Sequence, residues 1–236
     1  MYGWRGRIGL IVPSSNTTME EEFRRILPDG VSLHVSRIRL REVTREELIK
    51  MEEGIKDAVY RLSDAGVDII VFGCTTGSLV GGYGYDLKLS KKMMELSGVK
   101  AITTSTAVLK AFKTLNMNKL VVATPYIEEL NMDEKKFFED NGFRVLEIKG
   151  LGIKDNLEIG RQPPHISYRL AKSLNLKDAD GIFISCTNFR TLEIIKPLEE
   201  DIGLPVVTSN QATFWYTFKE LGITYVDERF GRLFTL

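Results

Sequence analysis

The sequence predicts an α/β protein of two pseudo-symmetric lobes, each a roughly four-stranded parallel sheet flanked by helices. Three observations predict this fold class. Short β-branched segments alternate with longer amphipathic ones, which is typical of parallel strands covered by helices on both faces. Two pairs of segments recur at one fixed spacing, which indicates an internal duplication. The length of 236 residues is sufficient for two such lobes.

The first half of the chain alternates strands and helices in order. The apolar run 7–12 predicts a buried strand. Residues 17–27, which open on two threonines and three glutamates, predict a helix capped by a threonine. Residues 31–38 alternate like a strand, and residues 44–65, opened by a Thr-x-x-Glu capping box, predict one long helix. Residues 68–72 complete this half as a second continuous apolar strand.

The second half repeats the first. Residues 119–125 resemble the first strand and the proline that follows it, and residues 180–187 resemble residues 68–75. Both matches have an offset of 112 residues. Near the lobe ends, 206–210 resembles 101–105 at an offset of about 105. Generic strands do not explain paired Asp, Pro and Cys-Thr residues at one spacing, so we infer a duplication.

The duplication predicts how the chain divides. Residues 1–104 form the N-terminal lobe, residues 105–210 form the C-terminal lobe, and the helical segment 211–236 packs back on the first lobe. Ligands of open α/β sheets bind beyond the carboxyl ends of the strands. Cys74 and Cys186 both follow a predicted strand. The sequence therefore predicts an active site with two thiols in the cleft between the lobes.

Composition and charge exclude several classes of function. The 32 basic residues balance 32 acidic ones, which argues against nucleic acid as a partner. Two histidines and two cysteines predict neither a metal site nor a disulfide framework. No segment has the roughly 20 apolar residues of a membrane span, and no secretory signal is visible. We expect a cytoplasmic protein with reduced thiols and no membrane partner.

Two thiols at equivalent strand ends predict cysteine catalysis. A cysteine that opens a turn into a helix lies among free backbone N–H groups, which lower a thiol pKa and bind anions. Paired thiols act on one substrate as nucleophile and acid, or as base and acid. A two-lobed protein that only binds a small ligand is the remaining non-enzymatic interpretation. Binding alone needs no thiolate, so loss of function on replacing the cysteines distinguishes the two.

Five segments carry a family resemblance: VPSSNTTME at 12–20, GCTTGS at 73–78, TPY at 124–126, LGIKDN at 151–156 and SCTN at 185–188. In these segments the chain resembles the aspartate/glutamate racemase superfamily. It is most similar to the branch of maleate cis–trans isomerases and arylmalonate decarboxylases. The resemblance covers nearly the whole chain.

The resemblance implies a cofactor-independent isomerisation of maleate, or a related small dicarboxylate, to fumarate. It makes Cys74 the nucleophile that adds to the alkene and gives a succinyl-cysteine intermediate. It makes Cys186 the general acid and base at the neighbouring carbon. Asn16, Tyr126 and Asn156 would hold the carboxylates, although the residues alone favour helix capping or turn formation for both asparagines.

The full set of candidate substrate-binding residues shares hydroxyl or amide groups, and it comprises Ser14, Asn16, Thr75, Thr76, Tyr126, Asn156 and Thr187. The superfamily also implies a homodimer or a higher homo-oligomer. The alternative function is a two-thiol racemase, or a decarboxylase, acting on another small acid. Arylmalonate decarboxylases lack the first cysteine, and glutamate racemases usually carry Thr-His after the second, where this chain has Thr187 and Asn188.

Overall fold

Residues 2–236 of the computed structural model are described, and they form two four-stranded sheets in which every strand pair is parallel. The first sheet has the order β2-β1-β3-β4, with bounds β1 Gly6–Pro13, β2 Val31–Ile38, β3 Ile69–Phe72 and β4 Lys100–Thr103. The second has the order β6-β5-β7-β8, with bounds β5 Lys119–Thr124, β6 Arg144–Gly150, β7 Gly181–Ile184 and β8 Val206–Thr208. The identical strand order confirms the predicted fold class.

Eleven α-helices connect the strands of residues 2–236, with bounds α1 Met19–Ile26, α2 Arg45–Lys50, α3 Ile55–Asp64, α4 Thr75–Leu79, α5 Tyr85–Ser97, α6 Thr104–Thr114, α7 Glu128–Asp140, α8 Asn156–Gly160, α9 Pro164–Lys172, α10 Ile195–Ile202 and α11 Ser209–Glu220. Because helices cover both faces of each sheet, the central strands β3 and β7 are buried along their whole length. No helix among these residues is long and apolar enough to cross a membrane.

The single helix predicted for residues 44–65 is wrong, because the segment divides into α2 and α3. A 3₁₀ turn over Met51–Gly54 separates them. At Gly54 the backbone passes so close to β2 that a Cβ would lie 2.6 Å from the Ile38 side chain. Glycine permits this approach, and it also weakens a continuous α-helix. The Thr44 cap is present, since its side chain accepts a hydrogen bond from the Glu47 N–H.

Helices α6 and α11 join the two lobes. Each follows the last strand of its sheet and is capped by a threonine, Thr103 or Thr208. The two helices pack against each other, and α11 also contacts α1 and β3 of the first sheet. The caps are 105 residues apart, which equals the offset between residues 101–105 and 206–210. The division of the chain into segments 1–104, 105–210 and 211–236 stays a prediction.

Candidate active site

Cys74 lies between β3 and α4, where it is the N-cap of the helix. Its Sγ accepts hydrogen bonds from the Gly77 N–H, at 3.3 Å, and from the Thr76 hydroxyl. A Cβ at residue 77 would lie 2.9 Å from the sulfur, so glycine makes room for the thiol. Burial raises the pKa of Cys74 to about 11 and outweighs the two donors, which lower it.

Cys186 follows β7 in the equivalent place of the second lobe, but its backbone differs. Its φ is +93°, in the left-handed region, whereas Cys74 has a φ of −148°. Its Sγ accepts hydrogen bonds from the Asn188 N–H, at 3.3 Å, and from the Tyr126 hydroxyl. Burial raises the pKa of Cys186 to about 12, and the nearby Cys74 thiol contributes to this rise. The two thiols therefore lie close enough to influence each other.

Backbone N–H groups lower the pKa of each thiol, as expected, but the expected net lowering is wrong because burial raises both pKa values by more. Both thiols do receive such hydrogen bonds, but both are almost completely buried. Removing charge-stabilising water disfavours a thiolate more than one or two donors favour it. Cys74 and Cys186 are therefore neutral thiols near pH 7, and both are free of disulfides.

Hydroxyl groups tie the two cysteine loops together. Thr75 Oγ1 donates to Ser209 Oγ at 2.8 Å, and the Cys186 N–H donates to the same oxygen at 3.0 Å. Thr187 Oγ1 donates to the carbonyl of Gly73 at 3.1 Å. The predicted Thr75 and Thr187 thus lie at the junction of the lobes. Ser209 lies at the same junction, where the sequence pattern indicated only the start of a helix.

Asn16 is buried between the lobes and caps α1. Its Oδ1 accepts hydrogen bonds from the N–H groups of Thr18 and Met19, both at 3.0 Å, and its Nδ2 donates to Thr187 Oγ1 at 3.1 Å. Thr18 makes no side-chain cap, so the predicted threonine cap is wrong. The asparagine amide reaches further than a threonine hydroxyl, which lets one side chain cap the helix and contact the Cys186 loop.

Asn156 and Ser14 occupy different surroundings. Asn156 is buried at the start of α8, and its Nδ2 donates to Ser15 Oγ at 2.8 Å, which links this helix to the loop after β1. Ser14 is exposed. Its Oγ donates to the Leu40 carbonyl at 3.2 Å and accepts from the Leu40 N–H at 3.1 Å. The structure therefore brings Asn156 to the lobe junction, whereas Ser14 stabilises a neighbouring loop.

Tyr126 follows β5 and is only 2% exposed. Its hydroxyl contacts Cys186 and Ser185. Burial, together with the neighbouring Cys186 and Glu134 side chains, raises the pKa of Tyr126 well above its ordinary value. The phenol therefore remains a neutral hydrogen-bond donor beside the Cys186 sulfur.

Asn188 links the lobes through its side chain, although the sequence did not single it out as a site residue. Its Oδ1 accepts from the Thr17 N–H at 2.8 Å, and its Nδ2 donates to the Asn156 carbonyl at 2.6 Å. A Cβ at Gly160 would lie 3.0 Å from this amide. The amide therefore lies in a tight space between the loop after β1 and α8.

Replacing Asn188 with alanine is expected to lower the free energy of unfolding by about 2–3 kcal/mol, because each lost hydrogen bond of this kind contributes about 1 kcal/mol. Urea unfolding followed by circular dichroism measures the change. Asn118→Ala is the matched control, since its Nδ2 makes only one exposed contact, to the Asn116 carbonyl. Equal stability of the two variants would contradict the role of Asn188 as a link between lobes.

No group of three or more His, Cys, Asp or Glu side chains within residues 2–236 is arranged to hold a metal ion. The reactive side chains that the structure brings to the lobe junction are the two thiols, with hydrogen-bonding groups around them. The thiols can add to an electrophilic carbon or exchange a proton with it.

The sequence matches known proteins over almost its full length. The family model for arylmalonate decarboxylase matches residues 8–234. The maleate isomerase of Geobacillus stearothermophilus is 32% identical over 93% of this chain and 94% of its own. The arylmalonate decarboxylase of Bordetella bronchiseptica is 29% identical over 96% of this chain and 95% of its own.

Solved structures show the same fold. The maleate isomerase of Pseudomonas putida S16 with maleate has a TM-score of 0.94 at 27% identity, over 98% of this chain and 97% of its own. A cysteine mutant of the Nocardia farcinica maleate cis–trans isomerase, with a covalently bound succinylcysteine intermediate, also has a TM-score of 0.94, at 26% identity over 98% of both chains.

The duplicated lobes and the paired thiols at their junction define a member of the aspartate/glutamate racemase superfamily. Within it, the chain belongs to the arylmalonate decarboxylase family, on the branch that contains the maleate isomerases. It is an isomerase.

Proposed function

We propose that the protein isomerises maleate, or a related small cis-dicarboxylate, to the trans isomer. The observation that carries this proposal is the pair of neutral thiols at equivalent strand ends, each with its own hydrogen-bond donors. One thiol is needed to add to a double bond and the second to handle the proton at the neighbouring carbon. The succinylcysteine found in the Nocardia relative supports a covalent route.

Cys74 is the nucleophile in this proposal, and Cys186 is the general acid. The sulfur of Cys74 forms a bond to one alkene carbon while Cys186 delivers its proton to the other. The proton that Cys74 gives up replaces the one that Cys186 donates, so the adduct forms without another acid or base. The C=C double bond becomes a single bond, which permits rotation.

Reversal of these steps completes the isomerisation. After rotation, Cys186 removes a proton from the carbon that it protonated, the C–S bond breaks, and both thiols return to their neutral state. Charge that develops on the carboxylates needs fixed donors. We assign the donation of hydrogen bonds to the substrate carboxylates to three hydroxyl groups and two side-chain amides, those of Thr75, Thr76, Thr187, Asn16 and Asn156. On binding, the substrate takes the place of the protein groups to which these side chains are now bonded. Ser14 acts only through the loop that it anchors.

Proton NMR in D₂O tests this function directly. Maleate incubated with the reduced protein is expected to give fumarate that carries deuterium, because the thiol protons exchange with solvent. The reaction is expected without added cofactor and after dialysis against a chelator, since both reacting groups are cysteines. Maleate that stays unchanged over hours beside folded protein with two free thiols would contradict maleate as the substrate.

Replacing Tyr126 with phenylalanine is expected to lower kcat by about 10²-fold, with a smaller change in KM. The hydroxyl donates to Cys186, so its removal destabilises the thiolate formed on proton transfer, as loss of one fixed donor does elsewhere. Steady-state kinetics on maleate measure the change. Tyr60→Phe is the control, since Tyr60 is 43% exposed and lies on α3. A kcat equal to that of the control would contradict the role of Tyr126.

The oligomeric state stays a prediction. We propose the homodimer or higher homo-oligomer that the superfamily resemblance implies. Analytical ultracentrifugation measures it, and a single monomeric species at micromolar concentration would contradict it.

A further inference from the structure

A buried carboxyl group lies behind Cys186 and plays no part in the proposed chemistry. Glu134, in the middle of α7, is completely buried. Its Oε1 shares a hydrogen bond with Ser185 Oγ at 2.6 Å, and its Oε2 has no hydrogen-bond partner among residues 2–236. Ser185 also contacts the Tyr126 hydroxyl, which in turn contacts the Cys186 sulfur. The four side chains thus form one chain of contacts that runs from Glu134 to the thiol.

The duplication supplies a comparison for this carboxyl group. Glu22 precedes Glu134 by 112 residues and is likewise buried on the helix after the first strand of its lobe. Glu22 accepts three hydrogen bonds, from the N–H groups of Thr191 and Leu192 and from Asn210 Nδ2. Three donors satisfy a carboxylate. Glu134 has a single hydrogen-bond partner, Ser185, and this favours the protonated carboxyl group.

We propose that protonated Glu134 is a positioning residue for Cys186, because it directs the hydroxyl groups of Ser185 and Tyr126 toward the sulfur. A protonated carboxyl donates to Ser185, so Ser185 is free to donate to Tyr126, and Tyr126 donates to Cys186. An ionised carboxylate must instead accept from Ser185, which turns that hydroxyl away from Tyr126. The proposal rests on the role of Cys186 as the acid in the proposed function.

The surroundings of Glu134 agree with this two-state arrangement. Burial raises the pKa of Glu134 to about 8, with the Ser185 hydrogen bond opposing it. The helix α4, which packs on α7, carries no ionisable side chain beyond its Cys74 cap. The charged side chains of the other elements around α7 do not contact Glu134. Arg144 is exposed, and the others bond to partners other than Glu134, namely Arg45 to Asp133, Glu147 to the Asn175 N–H and Lys149 to Ser173. The ionisable side chain that Glu134 does affect is Tyr126, whose pKa it raises together with Cys186.

The sign of the pH dependence follows from these contacts. Below the pKa of Glu134 the hydroxyl groups point toward Cys186 and favour its thiolate. Above that pKa the new negative charge and the reversed Ser185 hydroxyl both disfavour the thiolate. Ionisation of Glu134 should therefore reduce the acidity of Cys186 as the pH rises through about 8.

Alkylation of Cys186 tests this without any substrate. In Cys74→Ser, Cys186 is the only cysteine of the chain. Its rate of reaction with iodoacetamide is measured from about pH 6 to about pH 10, because only the thiolate reacts. The logarithm of the rate is expected to rise linearly with pH and then to flatten near pH 8. In the double variant Cys74→Ser/Glu134→Gln, the neutral amide at residue 134 also donates to Ser185 at every pH. The logarithm of its alkylation rate is expected to keep rising with pH, and its rate at the highest pH to be about 10-fold greater than that of Cys74→Ser.

Two further variants separate positioning from a structural role. Ser185→Ala on the same background removes the hydrogen-bonded link and leaves only the charge of Glu134, so the break near pH 8 is expected to become much smaller. Glu22→Gln is the matched control, and it is expected to change stability and to keep the break. Identical profiles with Glu134 and Gln, or a break of unchanged size in Ser185→Ala, would overturn the proposal. Since no maleate is used, these outcomes are independent of the proposed isomerisation.

Discussion

Replacing Cys74 with serine is expected to lower kcat for maleate by about 10⁴-fold or more. A serine hydroxyl at the N-cap of α4 still accepts the hydrogen bond from the Gly77 N–H, so the local structure is preserved. The hydroxyl is a far weaker nucleophile than a thiol, because its much higher pKa makes its proton harder to remove. Loss of a nucleophile has effects of this size or larger in other enzymes.

Steady-state kinetics and the NMR assay measure this loss, and near-ultraviolet circular dichroism verifies that the variant is folded. Ser78→Ala is a control on the same short helix, because Ser78 Oγ contacts backbone carbonyls and Ser105 but no thiol. Turnover of maleate by Cys74→Ser within 10-fold of the parent protein would contradict addition by Cys74. Such a result would favour chemistry that needs one thiol, as in a decarboxylase.

Replacing Cys186 with alanine is expected to lower kcat by about 10²–10⁴-fold and to leave a covalent adduct on Cys74. Addition of Cys74 needs only one proton for the neighbouring carbon, which solvent supplies slowly. Elimination needs a base at that carbon, and the alanine variant lacks it. The adduct should therefore accumulate in this variant and not in the parent protein.

Intact-mass spectrometry detects the adduct as a mass increase equal to one maleic acid, and peptide mapping assigns it to Cys74. Cys74→Ser treated in the same way is the control and should remain unmodified. A racemase would form no such adduct, because its thiols exchange protons without bonding to carbon. Full isomerase activity in Cys186→Ala, or an adduct at another residue, would contradict the proposed roles.

The duplication made most of the fold predictable. The offset of 112 residues between Pro13 and Pro125, and between Cys74 and Cys186, implies two equivalent sheets, and it also implies that equivalent strand ends face one another. The same offset pairs Glu22 with Glu134, so a signal for the buried acid was present in the sequence. Whether each of these carboxyl groups is protonated depends on how many hydrogen-bond donors surround it, and only the folded structure determines that number.

The remaining differences have physical causes that a sequence pattern does not contain. The sign of the thiol pKa shifts depends on burial, which outweighs the backbone donors at Cys74 and Cys186. The break between α2 and α3 depends on how closely Gly54 approaches Ile38. Ser209 contacts Thr75 through its side chain at the start of α11, and this contact depends on how closely the two cysteine loops approach each other, which the sequence pattern does not specify.

The left-handed backbone at Cys186 implies a conflict between folding and activity at this one position. A non-glycine residue in that region costs of order 1 kcal/mol relative to glycine, and its neighbours must hold it in place. Cys186→Gly is then the substitution that the backbone itself prefers, although it removes the thiol. The proposed role of Cys186 as the general acid accounts for a cysteine at a position where glycine would relieve the backbone strain.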